Sequence, residues 1–171
     1  MLKPKHILRR LAGILAVLVA VPMGAAPDQD AQRLANQANL AMAEEDWEKA
    51  DELLEEALGI AEDAPELWIG RGFTRKQLAK IDDARESLET ALELYRERAE
   101  DDPDNTGLVM NVGYTLVLLN RRDDALDYLR AAAERNPEER VFGRFEEIID
   151  GIEENFSEFI LPKEEPESQP D

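Results

Sequence analysis

A three-fold internal repeat is the feature of this 171-residue chain that most restricts its fold. Three similar stretches, EKADELLEEALGI, DDARESLETALEL and DDALDYLRAAAERNP, carry matching alanines, which serve as anchors: Ala50, Ala84 and Ala125. A leucine follows each anchor by four residues, and a second alanine follows it by seven. Small residues recur where two helices touch closely, and larger apolar residues recur on one helical face. Each unit is therefore predicted to be a pair of antiparallel helices that buries its apolar face by stacking on the next unit.

The repeat keeps its register although its spacing changes. The first two anchors are 34 residues apart, whereas the last two are 41 apart. Seven residues are almost two helical turns, so inserting seven lengthens a helix and rotates its faces by only about 20°. The apolar spacing continues through Tyr95 and Ala99. We therefore expect the second helix of the second unit to continue to about Glu100, where DDPDN forms the turn to the next unit.

This pattern resembles the tetratricopeptide repeat (TPR), a 34-residue pair of helices. The resemblance covers residues 31–137, and the third unit carries the best single match. The matching residues of that unit are Val109, Val112, Gly113, Leu116, Ala125, Leu129, Ala132 and Pro137.

The resemblance implies an all-α fold, an α-solenoid of three TPR helix-turn-helix units closed by a C-terminal capping helix. Repeat arrays need such a cap because the last unit has no following neighbour. The expected segments are a signal peptide or anchor (1–26), unit one (31–64), unit two with its seven-residue extension (65–105), unit three (106–137), the capping helix (138–160) and a disordered acidic tail (161–171).

Some positions depart from the TPR motif. Arg71 and Arg75 stand at places that are apolar in the motif. Glu45 and Ala79 replace the glycine expected in the turn inside a unit, where Asn120 adopts the left-handed geometry more readily. These departures concern the outer packing and the turns, and they leave the expected fold unchanged.

The first 26 residues have the order of a secretory signal: basic MLKPKHILRR, the apolar run Leu11–Val21, then small residues in PMGAA. The apolar run is 11 residues long, too short for a standard transmembrane helix. Pro27 follows the best cleavage position, which leaves an uncleaved N-terminal anchor in the inner membrane as the alternative. Both interpretations predict that the folded part lies in the periplasm or is exported.

The composition argues against catalysis and nucleic-acid binding. Lys and Arg total 20 against 39 Asp and Glu, and the formal net charge of −19 repels polyanions. The chain has no cysteine, and its only histidine is His6 in the N-terminal segment. Neither a nucleophile–base pair nor a thiolate metal site is available. We expect no enzymatic activity, no cofactor and another protein as the partner.

DDPDNTG resembles the front of a calcium-binding EF-hand loop. Counted from Asp102, the twelfth place is Gly113, where such a loop requires a bidentate glutamate. A turn between repeats is therefore the expected role of this stretch, and we expect no metal.

The resemblance also implies a binding surface, because the first helices of TPR units line a concave groove. Aromatic and methionine side chains provide contact area, and amides bond to an extended backbone. Val117 and Leu118 occupy groove places too, but we expect them to pack between helices. The cationic residues of TPR carboxylate clamps are missing. The predicted partner-binding residues are Asn36, Asn39, Met42, Ile69, Phe73, Lys76, Gln77, Met110, Asn111 and Tyr114.

An apolar stripe at helical spacing follows Pro137. We interpret this stripe first as the cap over the last repeat. The alternative is an interface, through which the chain either self-associates as a homodimer or structural subunit or docks on a partner. Gly151 favours a break in this helix. The residues of the alternative interface are Phe142, Phe145, Ile149, Ile152 and Phe156.

Overall fold

The fold is helical throughout the part of the chain that is described. A computed structural model describes residues 28–136, 144–155 and 157–163. The predicted N-terminal segment lies outside these residues, and within them there is no β-strand. The helices are α1 (Gln29–Ala43), α2 (Trp47–Leu58), α3 (Pro65–Gln77), α4 (Ile81–Asp101), α5 (Thr106–Leu118), α6 (Arg122–Arg135) and α7 (Phe145–Asn155), followed by a 3-10 turn, Ser157–Phe159.

The six helices from α1 to α6 form three hairpins that stack in order. Each helix packs against the one before it and the one after it. The anchor alanines Ala50, Ala84 and Ala125 lie on α2, α4 and α6, and all three are fully buried. The sequence prediction of an all-α α-solenoid is therefore confirmed.

The same turn joins the two helices of every hairpin. Its central residue has a left-handed backbone in all three copies, with φ of 62° at Glu45, 59° at Ala79 and 61° at Asn120. This geometry lets the next amide bond to a carbonyl five residues back, which closes the helix end. The three bonds, each 2.9 Å long, run from Asp46 N to Ala41 O, from Lys80 N to Arg75 O and from Arg121 N to Leu116 O.

Two glycines allow the helices of the second and third hairpins to approach each other closely. A Cβ added to Gly72 would lie 2.8 Å from Leu88 Cγ, and one added to Gly113 would lie 2.7 Å from Leu129 Cδ1. Both distances are too short for real contacts, so only glycine fits without movement of the facing leucine side chain. In the first hairpin the equivalent residue is Ala38, which is fully buried.

The inserted seven residues lie in α4, which is 21 residues long. This helix ends at Asp101, one residue beyond the predicted end, and both Tyr95 and Ala99 are buried along it. The following turn ends at Asn105, whose side chain accepts a 3.2 Å hydrogen bond from the amide of Leu108 and so caps α5. One continuous helix therefore spans Ile81–Asp101 before this turn.

The C-terminal part differs from the sequence prediction in two respects. Helix α7 continues through Gly151 without the expected break, and Asn155 Nδ2 donates a 2.8 Å hydrogen bond to the Gly151 carbonyl. The residues from 161 onward were expected to be disordered, but Leu161 is buried in the core and residues 161–163 follow a defined path. Burial of one leucine outweighs the polar composition around it. Residues 137–143, 156 and 164–171 lie outside the described residues.

Candidate partner-binding groove

The predicted groove residues lie on the first helices of the three hairpins, α1, α3 and α5. Asn36 and Gln77 are exposed. The half-buried members of the set are Asn39, Phe73, Lys76, Met110, Asn111 and Tyr114.

Two residues of the predicted set do not offer surface to a partner. Met42 is 3% exposed and Ile69 is 4% exposed. Met42 packs in the apolar cluster between α1 and α2, whereas Ile69 belongs to the larger cluster formed by the later helices. Both side chains therefore hold the hairpins together, which corrects the prediction for these positions. Val117 and Leu118 are buried, as expected.

Phe73 lies at the centre of an aromatic stack. On one side it meets Trp47 edge-on, with ring centroids 5.6 Å apart and an interplanar angle of 87°. On the other side it stacks on Phe159, at 4.2 Å and 22°. The edge-on arrangement is the one that the aromatic quadrupole favours. Sequence reasoning missed Trp47 and Phe159 as members of this site, although Trp47 stands three residues before an anchor alanine, at the end of the turn.

The chain's own C-terminal segment, which we define as residues 157–163, contacts two of the predicted groove residues, Phe73 and Lys76. Phe159 and Leu161 are its two buried side chains, at 5% and 1% exposure. Lys76 Nζ donates to the Glu158 carbonyl, which places the segment on a predicted groove residue. Nothing in the sequence periodicity signals this contact, because its partners are 82 residues apart.

A charged cluster lies beside the groove, between the first and second hairpins. Asp51 Oδ1 on α2 is 3.2 Å from Arg71 Nε and 3.4 Å from Arg75 Nε on α3. Asp51 Oδ2 is 3.5 Å from Lys80 Nζ, and Arg71 also pairs with Glu55 at 3.1 Å. The two arginines stand where the motif has apolar residues, and this shared carboxylate explains how the hairpins pack there.

Two tyrosines near the third hairpin are neutral at ordinary pH. Burial raises the pKa of Tyr114 to about 12. Burial raises the pKa of Tyr95 as well, and the carboxylate of Glu66 raises it further. Both phenols therefore keep their protons to a higher pH than an exposed tyrosine does, and they are hydrogen-bond donors at neutral pH. Tyr114 combines this donor with a half-buried ring that packs against the core cluster of the later helices.

Burial also lowers the pKa of Lys76, while the carboxylate of Glu158 acts in the opposite direction. Desolvation disfavours the ammonium, and a nearby negative charge favours it. The C-terminal segment thus supplies both a carbonyl acceptor and a carboxylate to this lysine.

The apolar stripe of α7 faces the array. Ile149 is 1% exposed, and Phe145 and Ile152 pack against the core cluster of the later helices. Arg122 on α6 pairs with Asp150 at 2.6 Å and with Glu153 at 2.5 Å, which fixes the helix on the last hairpin. Ile149 is therefore unavailable to a second molecule, which corrects the alternative interface at that residue. Phe142 and Phe156 lie outside the described residues.

The described residues show no feature of a metal centre or a membrane span. Among them, no group of three His, Cys, Asp or Glu side chains is arranged to hold a metal ion. None of the helices from α1 to α7 combines the length and the apolar character needed to cross a bilayer.

Comparison with known proteins supports the repeat architecture. A tetratricopeptide-repeat family model matches residues 34–67, and a second tetratricopeptide-repeat model matches residues 65–98. These matches span the hairpins α1–α2 and α3–α4. A search of curated proteins finds no match to the chain. The two family matches, together with three equivalent buried anchors, show that the chain belongs to the tetratricopeptide-repeat family.

Proposed function

We propose that this TPR protein is a non-catalytic adaptor or assembly factor that binds a segment of another protein on the concave surface of α1, α3 and α5. TPR units generally mediate contacts between proteins, and the half-buried aromatic, methionine and amide side chains on the first helices support the proposal. The observation that carries the proposal is the contact between Phe73, a predicted groove residue, and Phe159 of a short segment that begins with a 3-10 turn. An aromatic side chain of a short peptide segment therefore fits this surface.

The groove also offers hydrogen-bonding groups where a peptide would need them. Asn39 and Asn111 carry amides on the first helices of the first and third hairpins, and Tyr114 carries a protonated phenol. Met110 adds an adaptable apolar contact beside them. A partner segment lying across the hairpins would meet apolar area and polar groups in alternation, which suits an extended backbone.

We also propose that the protein acts in the cell envelope. The support is the basic, apolar and small-residue order of residues 1–26. Mass spectrometry of the protein recovered from the envelope fraction tests this. A chain beginning near Pro27 indicates cleavage, and an intact N-terminus in the membrane fraction indicates an anchor. Recovery of the intact chain in the cytosol would contradict the proposal.

Site-specific photocrosslinking in cells tests the binding surface. A photoreactive amino acid at Gln77, exposed on α3, is expected to capture a partner, whereas the same amino acid at Glu93, exposed on α4, is not. Replacing Phe73 and Tyr114 by alanine should remove the Gln77 crosslink while the helical circular-dichroism signal persists. Equal capture at both positions, or capture unaffected by the double substitution, would exclude the groove as the binding surface.

A further inference from the structure

We propose that the C-terminal segment, residues 157–163, is an internal ligand of the groove, and that the partner displaces it with a segment of the same chemistry. That segment carries an aromatic residue, and a leucine two positions later. This inference rests on the proposed function and specifies both the regulation of the site and the kind of sequence it accepts.

The side chains of the C-terminal segment define what the groove recognises. Phe159 enters the aromatic site next to Phe73, and Leu161 is buried in the apolar cluster of the later helices. Ile160 between them is only half-buried, and Ser157 and Glu158 before them are exposed. Two positions of the bound segment therefore carry the side-chain recognition, and their spacing is fixed at two residues.

The backbone of the C-terminal segment is held by groups from different parts of the array. Its Leu161 amide donates a 2.8 Å hydrogen bond to the Leu118 carbonyl, and its Leu161 carbonyl accepts one of 2.9 Å from Asn120 Nδ2. Arg85 Nη2 on α4 donates to the Pro162 carbonyl at 3.1 Å. These bonds use only main-chain atoms of the segment. Any segment with the same path can make them whatever its other residues are.

The C-terminal segment is held in a way that allows exchange. It is short, and the residues outside its two anchors are exposed or half-buried. Ordering this segment costs conformational entropy, which offsets part of the free energy gained from its apolar contacts and hydrogen bonds. Its attachment after α7 gives it a high effective concentration at the groove, so a free peptide competes at a disadvantage. Removing the two anchors should therefore open the site without removing the groove.

Binding of a synthetic peptide to the full chain tests the proposal. The probe is fluorescent SEFILPK, the sequence of residues 157–163, and the control peptide is SEAIAPK. The variant Phe159→Ala/Leu161→Ala is expected to bind SEFILPK about tenfold or more tightly than the unsubstituted chain does. The control peptide should bind neither protein. Leu40→Ala/Ile60→Ala, which alters two exposed apolar side chains, is the matched control and should behave like the unsubstituted chain.

A second measurement does not depend on the folding of the double variant. In the unsubstituted chain, the Leu161 amide is hydrogen-bonded to Leu118 and should exchange slowly with solvent deuterium. Excess SEFILPK should speed this exchange about tenfold or more, because it removes the bond, and SEAIAPK should leave the rate unchanged.

The outcomes separate this inference from the proposed function. Equal affinity of the unsubstituted chain and the double variant for SEFILPK would overturn the internal-ligand role and leave peptide binding in the groove intact. No binding of SEFILPK to the folded variant, with a partner still captured at Gln77, would also overturn the inference alone. If SEFILPK does not bind the folded variant and no partner is captured at Gln77, the inference and the proposed function are overturned together.

Discussion

At the residue scale, the missing side chain of Gly113 sets how closely α5 and α6 approach. A Cβ there would lie 2.7 Å from Leu129 Cδ1. Gly113→Ala should therefore lower the free energy of unfolding by about 1–3 kcal/mol, although alanine is the better helix former. Urea denaturation measures this. Gly151→Ala is the control, because a Cβ at Gly151 meets nothing within 4 Å, and it should raise stability by up to about 1 kcal/mol. A stabilising Gly113→Ala would contradict the close crossing.

The left-handed backbone of Ala79 predicts a stabilising substitution. A residue with a Cβ is strained at a φ of 59°, whereas glycine is not. Ala79→Gly is expected to raise the free energy of unfolding by about 0.5–1 kcal/mol despite the greater flexibility of glycine in the unfolded chain. Ala131→Gly on the exposed face of α6 should instead lower it by about 1 kcal/mol. If Ala79→Gly and Ala131→Gly lower the free energy of unfolding equally in chemical denaturation, the left-handed backbone at Ala79 is contradicted.

Asp51 joins two largely buried arginines, so its charge matters more than that of a surface carboxylate. Asp51→Asn keeps the shape of the side chain but leaves Arg71 and Arg75 without their shared partner. We expect a loss of about 3 kcal/mol in the free energy of unfolding. Asp127→Asn removes one partner of the exposed pair with Arg130 and should change stability by less than about 0.5 kcal/mol. Similar small losses for both variants would refute the role of Asp51.

At the element scale, the sequence predicts the helices far better than it predicts what covers them. The anchors at Ala50, Ala84 and Ala125 locate every hairpin because the close contact between two helices demands a small residue at one fixed place. The end of α4 is predictable as well, since a seven-residue insertion preserves the helical face. These features depend on local spacing, which a single sequence contains.

The contacts that the sequence does not predict are those between distant residues. In the sequence, Arg71 and Arg75 are only departures from the motif. The carboxylate that pairs with them, Asp51, belongs to the preceding unit, and the motif gives no sign of this pairing. The C-terminal segment reads as a polar tail, because the burial of Leu161 depends on contacts with residues about 40 positions earlier, such as Asn120. Met42 and Ile69 were assigned to the groove from their place in the motif, yet neighbouring helices cover both.

Helix α7 provides a prediction about the cap. Ile149 is buried in the core cluster, so Ile149→Ala should lower the free energy of unfolding by about 2–4 kcal/mol through lost burial and a cavity. The molecular mass measured by sedimentation should not change, because the side chain packs within its own chain. Leu40→Ala, at an exposed position on α1, is the control for apolar truncation and should alter stability by less than about 0.5 kcal/mol. A former dimer that becomes a stable monomer on Ile149→Ala would restore the interface interpretation.

At the scale of the whole molecule, Phe73 and the C-terminal segment link parts of the array in addition to the packing of consecutive helices. The first hairpin has its own apolar cluster, and the later helices have another, with Phe73 packed against both. Phe159 then reaches back from the end of the chain to the second hairpin. The array is consequently linked by its own terminus as well as by nearest-neighbour stacking, in contrast to a repeat protein whose units meet only in sequence order.

The central claim is that the C-terminal segment occupies the concave surface with its aromatic ring on Phe73. Nuclear Overhauser effects between the ring protons of Phe73 and Phe159, in a sample with both rings selectively labelled, test this most directly. The stacked rings, with centroids 4.2 Å apart, should give a strong cross-peak that disappears when SEFILPK is added in excess. Absence of the cross-peak in the folded protein without peptide, with the Phe159 ring at the chemical shift of a solvent-exposed phenylalanine, would contradict the account.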